Sequence, residues 1–240
     1  MSEAPAFRRA ISIRGRDGVV GAELEDDFHR FGVTLHHDGR TVTHIEARAG
    51  RYPWATCAEA PAALATLAGV ALASDPTALF RHADPRAHCT HLFELAALAI
   101  AQAARGDGTR LYEAEVTDPD DGVRTARLFQ DGDLALEWRL LDDMITAPEA
   151  YAGRTVAAFG SRALAELEPA LAERLLILRR VVQTARGRAM DVDAYATAAD
   201  MRRPAECYSL QPANALRARR IPGTHRDWRD RQTLARSISS

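Results

Sequence analysis

Asp-Gly pairs at 17–18, 38–39, 121–122 and 131–132 punctuate this chain, each set between stretches that alternate apolar and polar side chains. Such a step accepts the positive φ values that a tight hairpin turn demands, so each one marks a strand turning back on its neighbour. The N-terminal third reads accordingly as antiparallel strands over Phe7 to Arg14, Val19 to Glu25, Phe28 to His36 and Thr41 to Ala49. A second set follows at Leu111 to Val116, Val123 to Gln130 and Leu134 to Leu141. Strands in a meander leave one face to be covered, and the segments between and after them supply helices. Ala58 to Ala73 is rich in alanine and leucine, with Pro61 tolerable in a first turn. Thr90 to Ala104 spaces Leu92, Leu95, Ala96 and Ile100 as an apolar stripe and stops at Gly106. A long amphipathic helix is expected from Ser161 to about Arg186. The order strands, helices, strands, helices argues for an α+β fold, an antiparallel sheet covered by helices. Residues 1–201 read as a single α+β domain. Residues 202–240 carry nine arginines against three acidic groups, and Tyr208, Leu210, Ile221 and Trp228 anchor that segment back on the domain.

Composition excludes several classes of function. A formal net charge of -2 gives no reason to expect a nucleic acid or an acidic membrane as partner. All 31 basic residues are arginine, so neither a lysine Schiff base nor a P-loop lysine is available. No stretch reaches the ~18 apolar residues of a membrane span, and the first residues lack the apolar run of a signal peptide. The expected location is therefore the cytoplasm, where three cysteines are core thiols, metal ligands or a nucleophile rather than a disulfide framework. A small-molecule substrate is the expected partner, and a homo-oligomer is compatible with the composition.

Two segments concentrate reactive side chains. Arg51-Tyr52-Pro53-Trp54-Ala55-Thr56-Cys57-Ala58-Glu59 places Cys57 where a strand gives way to a helix. Ala87-His88-Cys89-Thr90-His91 opens the best helix, where free backbone N–H groups and the helix dipole favour a thiolate at Cys89. His88, His91 and Glu94 follow at intervals of three, on one helical face. Thiolate and imidazole are ligands that Zn and Fe prefer, so Cys57, Cys89 and His91 form a candidate metal set, with His88 or Glu59 as fourth ligand or proton-transfer group. A metal-free variant uses Cys89 as nucleophile and His91 or His88 as base. Cys207 reads as structural. His36, His37 and His44 read as solvent-facing, and His29, behind Asp26-Asp27-Phe28, is the exception among the strand histidines. Of Arg217, Arg219, Arg220 and Arg226, Arg219 and Arg226 are candidates to hold a substrate carboxylate or phosphate through paired donors.

At these residues the chain resembles a bacterial family known only as a domain of unknown function. The similarity runs through Arg8-Arg9, Asp26-Asp27-Phe28-His29, Pro53-Trp54-Ala55-Thr56-Cys57, Cys89-Thr90-His91-Leu92 with Glu94-Leu95, Gln211-Pro212 and Arg226-Asp227. Residues 41 to 104 also resemble the core of U-type iron–sulfur cluster scaffold proteins. Cys57-Ala58-Glu59 is similar to their loop cysteine and acid, and His88-Cys89 to their helix opening. The scaffold's middle cysteine has no counterpart, so this resemblance implies the fold and a mononuclear site rather than cluster assembly. These readings together point to a Zn- or Fe-dependent enzyme performing hydrolysis, hydration or lyase chemistry on a small organic acid or its thioester. The alternatives are a metal- or sulfur-binding scaffold or carrier, and a metal-free Cys/His thiol enzyme.

Overall fold

The computed structural model describes residues 5–228 and 230–239. Arg229, counted above among the C-terminal arginines, lies outside the described residues. Eight strands, β1 (Ala6–Arg16), β2 (Val19–Asp26), β3 (Arg30–His37), β4 (Val42–Arg51), β5 (Gly108–Thr117), β6 (Val123–Gln130), β7 (Asp133–Leu141) and β8 (Met144–Ala147), form one antiparallel sheet in the order β4-β3-β2-β1-β5-β6-β7-β8. The fold is α+β. Two four-strand meanders are thus welded at their first strands, β1 against β5. The Asp-Gly turns act as the sequence implies: Asp17 and Gly18 have φ of 52° and 78°, and Asp131 and Gly132 have 53° and 94°. Both residues of each pair therefore occupy the left-handed region that this hairpin turn requires.

The helices are α1 (Leu79–His82), α2 (Thr90–Arg105), α3 (Ser161–Leu164), α4 (Pro169–Ala185), α5 (Pro212–Ala215) and α6 (Arg231–Ser239). Helix α2 lies over β1, β2 and β3, and α4 packs against β5, β6 and β7. Strand β1 is central, and it is buried on both faces. Phe7, Ile11 and Ile13 enter the main core with α2, whereas Ala10 meets Leu234 and Ile238 of α6 on the other side.

Two expected helices differ from what forms. The Ala58–Ala73 region makes 3-10 turns at Ala55–Ala58 and Ala60–Leu67 instead of an α-helix. Its end is drawn off to the sheet: Val42 N donates to Val70 O at 2.9 Å, and Leu72 N to Arg40 O at 2.8 Å. Alanine propensity loses to that tertiary pairing. The helix expected from Ser161 to Arg186 is split between α3 and α4. Glu168 caps α4, accepting from Ala170 N at 3.0 Å and Leu171 N at 3.2 Å, and Pro169 takes the first turn, where its missing N–H is harmless.

The C-terminal segment runs back along the domain. Ala55 N donates to Arg219 O at 2.8 Å, Ile221 N to Pro53 O at 2.9 Å, and Arg226 N to Asp27 O at 2.7 Å. Among the described residues, no helix is long and apolar enough to cross a membrane.

Candidate functional site

Equal counting back from the Asp17-Gly18 turn puts Arg9 of β1 directly opposite Asp26 of β2. Both side chains are buried beneath α2, where His91 and Glu94, three apart, face the sheet. The Arg9 guanidinium is the hub. It donates to Asp26 Oδ2 from Nη2 at 2.7 Å and from Nε at 3.1 Å, and to Glu94 Oε2 at 3.4 Å. Nη2 also meets His91 Nε2 at 3.0 Å and donates to Thr184 Oγ1 of α4 at 3.0 Å. Arginine is always a donor, so His91 Nε2 accepts and carries no proton.

Asp26 holds a second histidine with its other oxygen. Oδ1 accepts from the backbone N–H groups of Phe28 and His29, each at 2.8 Å, and lies 3.0 Å from His29 Nδ1. These bonds close a tight turn after β2 that aims the His29 ring back over the sheet. The His29 and His91 rings lie 4.1 Å apart between centroids, with Phe31 stacked against both. Burial opposes ionisation of Asp26, but the neighbouring His29 and Arg9 outweigh it and hold the carboxyl well below the usual range. Burial, reinforced by His29 and Arg9, keeps His91 well below its ordinary value, so it stays neutral.

A cavity of about 180 Å³ opens on this pair. His29, His91 and Thr90 line one side, with Phe28, Phe31 and Trp54 as apolar walls. Arg180, Gln183 and Thr184 of α4, with Gly187 just beyond its end, form another side, and residues 206–210 of the C-terminal segment cover it. All three cysteines, Cys57, Cys89 and Cys207, reach the same space, and none is in a disulfide. A larger groove of about 1200 Å³ beside Asp118, Asp120 and Arg127 holds no histidine or cysteine, so the chemistry converges on the smaller cavity.

The residues singled out in the sequence are distributed unevenly. Cys57, Cys89 and His91 share the cavity. His88 does not line it: its ring is buried against Phe93, with centroids 5.2 Å apart. Glu59 is exposed and paired with Arg217, its Oε1 accepting at 3.1 Å. The side chains of Arg219 and Arg226 are exposed and outside the cavity lining.

The thiolate expected at Cys89 is not favoured. Cys89 does sit at the N-cap position of α2, but burial pushes its thiol up to about 12, against the modest pull of the helix N–H groups. Burial likewise pushes Cys57 up to about 11, and its sulfur sits 3.2 Å from Ser209 Oγ. Among the described residues, the atoms positioned to share an ion are those of Asp26, His29 and His91, all within 4.8 Å of one another. Cys57 and Cys89 with His91 form no such group.

Asp26, Arg9 and Arg180 escaped the sequence reading, although signals existed. Arg9 and Asp26 follow from hairpin register. Arg180, Gln183 and Thr184 are polar positions at helical spacing on α4.

Residues 16–105, less than half of the chain, match the family model DUF2889, described as protein of unknown function, which brings no reaction with it. No curated protein matches the chain. The resemblance to iron–sulfur scaffold proteins receives no support from these comparisons. The DUF2889 segment spans β2 to α2 and contributes Asp26, His29, Cys57, Cys89 and His91. Arg9, Arg180 and the covering residues 206–210 come from outside it, so the cavity is completed by parts of the chain that the family match does not span.

Proposed function

We propose that the cavity is an enzyme active site in which His29, oriented by Asp26, moves a proton during hydrolysis, hydration or lyase chemistry on a small organic acid or its thioester. One observation carries this reading: a buried, ionised carboxylate occupies His29 Nδ1, while His29 lines the cavity and its Nε2 has no protein partner among the described residues. A carboxylate on Nδ1 fixes the proton there and leaves the Nε2 lone pair available as a base. The role of Asp26 is therefore to orient the ring and to stabilise positive charge as it forms. The cavity is smaller than the roughly 300–1,000 Å³ of drug-sized sites, which suits a compact acyl or acid group. Protonated thiols at Cys57 and Cys89 serve better as soft apolar lining than as nucleophiles at neutral pH. Three unpaired cysteines in such a site suit the reducing cytoplasm.

A second reading places Zn or Fe between Asp26, His29 and His91, favoured by the 4.8 Å grouping of their ligand atoms. It requires Arg9 to give up His91 Nε2 and part of Asp26, because the guanidinium already fills the cationic position in this cluster. The test combines metal analysis of protein purified without a His tag with turnover of an ester, thioester and hydroxy-acid panel. Metal-free protein that turns over a panel member, and loses that activity in His29→Gln, supports the proton-transfer reading. About one equivalent of Zn or Fe, lost in both Asp26→Asn and His91→Ala, supports the metal. A fully active His29→Gln protein would overturn the proposed role of His29.

A further inference from the structure

Arg180 and Gln183 of α4 line the cavity, and Arg179 beside them lines an outer groove. Among the described residues, the Arg180 guanidinium makes no hydrogen bond and no ion pair within 4.0 Å, although it lines the cavity; burial lowers its pKa, against the pull of the Glu94 and Glu206 carboxylates farther off. Arg179 Nε and Gln183 Oε1 are buried without a partner as well. Most buried polar groups are satisfied, so two such exceptions flanking the half-buried Arg180 guanidinium on one helical turn need an explanation. The other arginine of the site differs in kind: Arg9 has every direction filled by Asp26, Glu94, His91 and Thr184.

A second space meets the first at this point. An outer groove of about 690 Å³ is lined by Arg86, Arg179, Ser161 and Gln211, and it shares Thr90, Arg180, Gln183 and Glu206 with the inner cavity. Arg180 therefore stands at the junction between a small inner space, where His29 lies, and a larger polar channel. A guanidinium in that place offers paired donors matched to a carboxylate or phosphate.

We propose that Arg180, supported by Arg179, is an oxyanion-binding subsite that holds the carboxylate or phosphate of the substrate at the cavity junction, with the reacting group inside beside His29 and any longer tail in the outer groove. This rests on the reading that the inner cavity is the active site, and it names the substrate class: an anionic acyl compound. It also moves the anion-holding function from the C-terminal arginines to α4.

The experiment measures thermal shift and calorimetric binding for phenylacetate, inorganic phosphate and coenzyme A, using the full chain. At least one of the three is expected to stabilise the wild-type protein. Phenylacetate alone identifies a carboxylate as the anion, whereas phosphate or coenzyme A identifies a phosphate. Arg180→Gln should weaken that binding about 10- to 100-fold, the worth of a charged hydrogen-bonded contact. Arg217→Gln, which alters an exposed arginine outside the cavity, should leave it unchanged. Should Arg180→Gln fail to fold, Arg180→Lys carries the test, since lysine keeps the charge without the paired donors and should also bind more weakly. No stabilisation by any of the three anions, or binding by the Arg180 variant equal to wild type, overturns the proposal. His29→Gln separates the two readings: it should retain anion binding while losing turnover. Binding lost with His29 turnover intact sinks only the subsite, and the converse sinks only the base.

Discussion

Two of the buried charge networks among the described residues, one on each half of the sheet, differ in whether a histidine of the network faces a cavity. On the β5 side, Glu173 of α4 is fully buried. Arg110 pairs with its Oε1, Arg105 Nη1 lies 2.7 Å from its Oε2, and the Tyr112 hydroxyl donates to Oε1 at 2.5 Å. That carboxylate is closed in by Arg105, Arg110 and Tyr112, and neither it nor Tyr112 lines a cavity beside a histidine. On the β1 side, Arg9 and Asp26 are as deeply buried, but Asp26 also supports His29, whose second nitrogen faces open space. Burial of charge is therefore common to structure and function here. What separates the two networks is a group left available at the edge of a cavity.

Asp26→Asn should break this comparison most severely. Removing one member of a buried ion pair leaves Arg9 with only the longer contact to Glu94 and costs about 3–5 kcal/mol, read as a fall in the urea midpoint. It should also lower turnover about 10²- to 10⁴-fold, because the asparagine amide no longer fixes the His29 tautomer. Glu173→Gln should destabilise on the same scale of about 3–5 kcal/mol while leaving binding and turnover per folded molecule intact. Equal losses of turnover in the two variants would erase the distinction between them.

His29→Gln removes the available group without disturbing Arg9. Its stability should change by under about 1 kcal/mol, while turnover falls about 10²- to 10⁴-fold. Wild-type activity in that variant would make the β1 network structural like its counterpart.

Asp27, next to Asp26, sharpens the comparison through pH. Burial pushes its carboxyl up to about 7, despite Arg188 Nη1 at 2.7 Å and the Arg8 backbone N–H at 3.3 Å, and the neighbouring Asp26 charge adds to the rise. A folded-state value above the unfolded one means that the native state holds the extra proton. The resulting stability is fully present below about pH 4 and is lost as the pH rises to about 7. Asp27→Asn should abolish that dependence, so its melting temperature relative to wild type should rise across this window. A difference that stays flat from pH 4 to 7 would show that Arg188 keeps Asp27 ionised throughout.

His44→Ala on exposed β4 should matter least, within about 0.5 kcal/mol and with no change in binding, as measured by chemical denaturation.

Local patterning made much of the fold legible. Alternation placed seven of the eight strands, and the Asp-Gly turns joined them, because strand period and left-handed turn residues are properties of adjacent positions. The missed strand, β8, has only four residues, Met144–Ala147, too short for alternation to stand out. Helix α2 and its stop at Gly106 were legible for the same local reason. Cys57, Cys89, His91 and His29 were also recognisable as unusual from the sequence, and all four meet at the cavity. Their chemistry was not legible. A helix start argues for a thiolate at Cys89, yet desolvation decides the matter, and desolvation depends on what packs above it. Neither could the sequence reading join Arg9, His91 and Thr184, which lie 82 and 175 positions or more from the first of them and meet only after α2 and α4 cross the sheet. Sequence alone determined strands, turns and the cast of reactive side chains, since those follow from near neighbours along the chain. Tertiary structure decided which carboxylate holds which histidine, which thiols stay protonated and which guanidinium faces the cavity without a hydrogen bond among the described residues, because distance and burial are set by chain segments far apart in sequence.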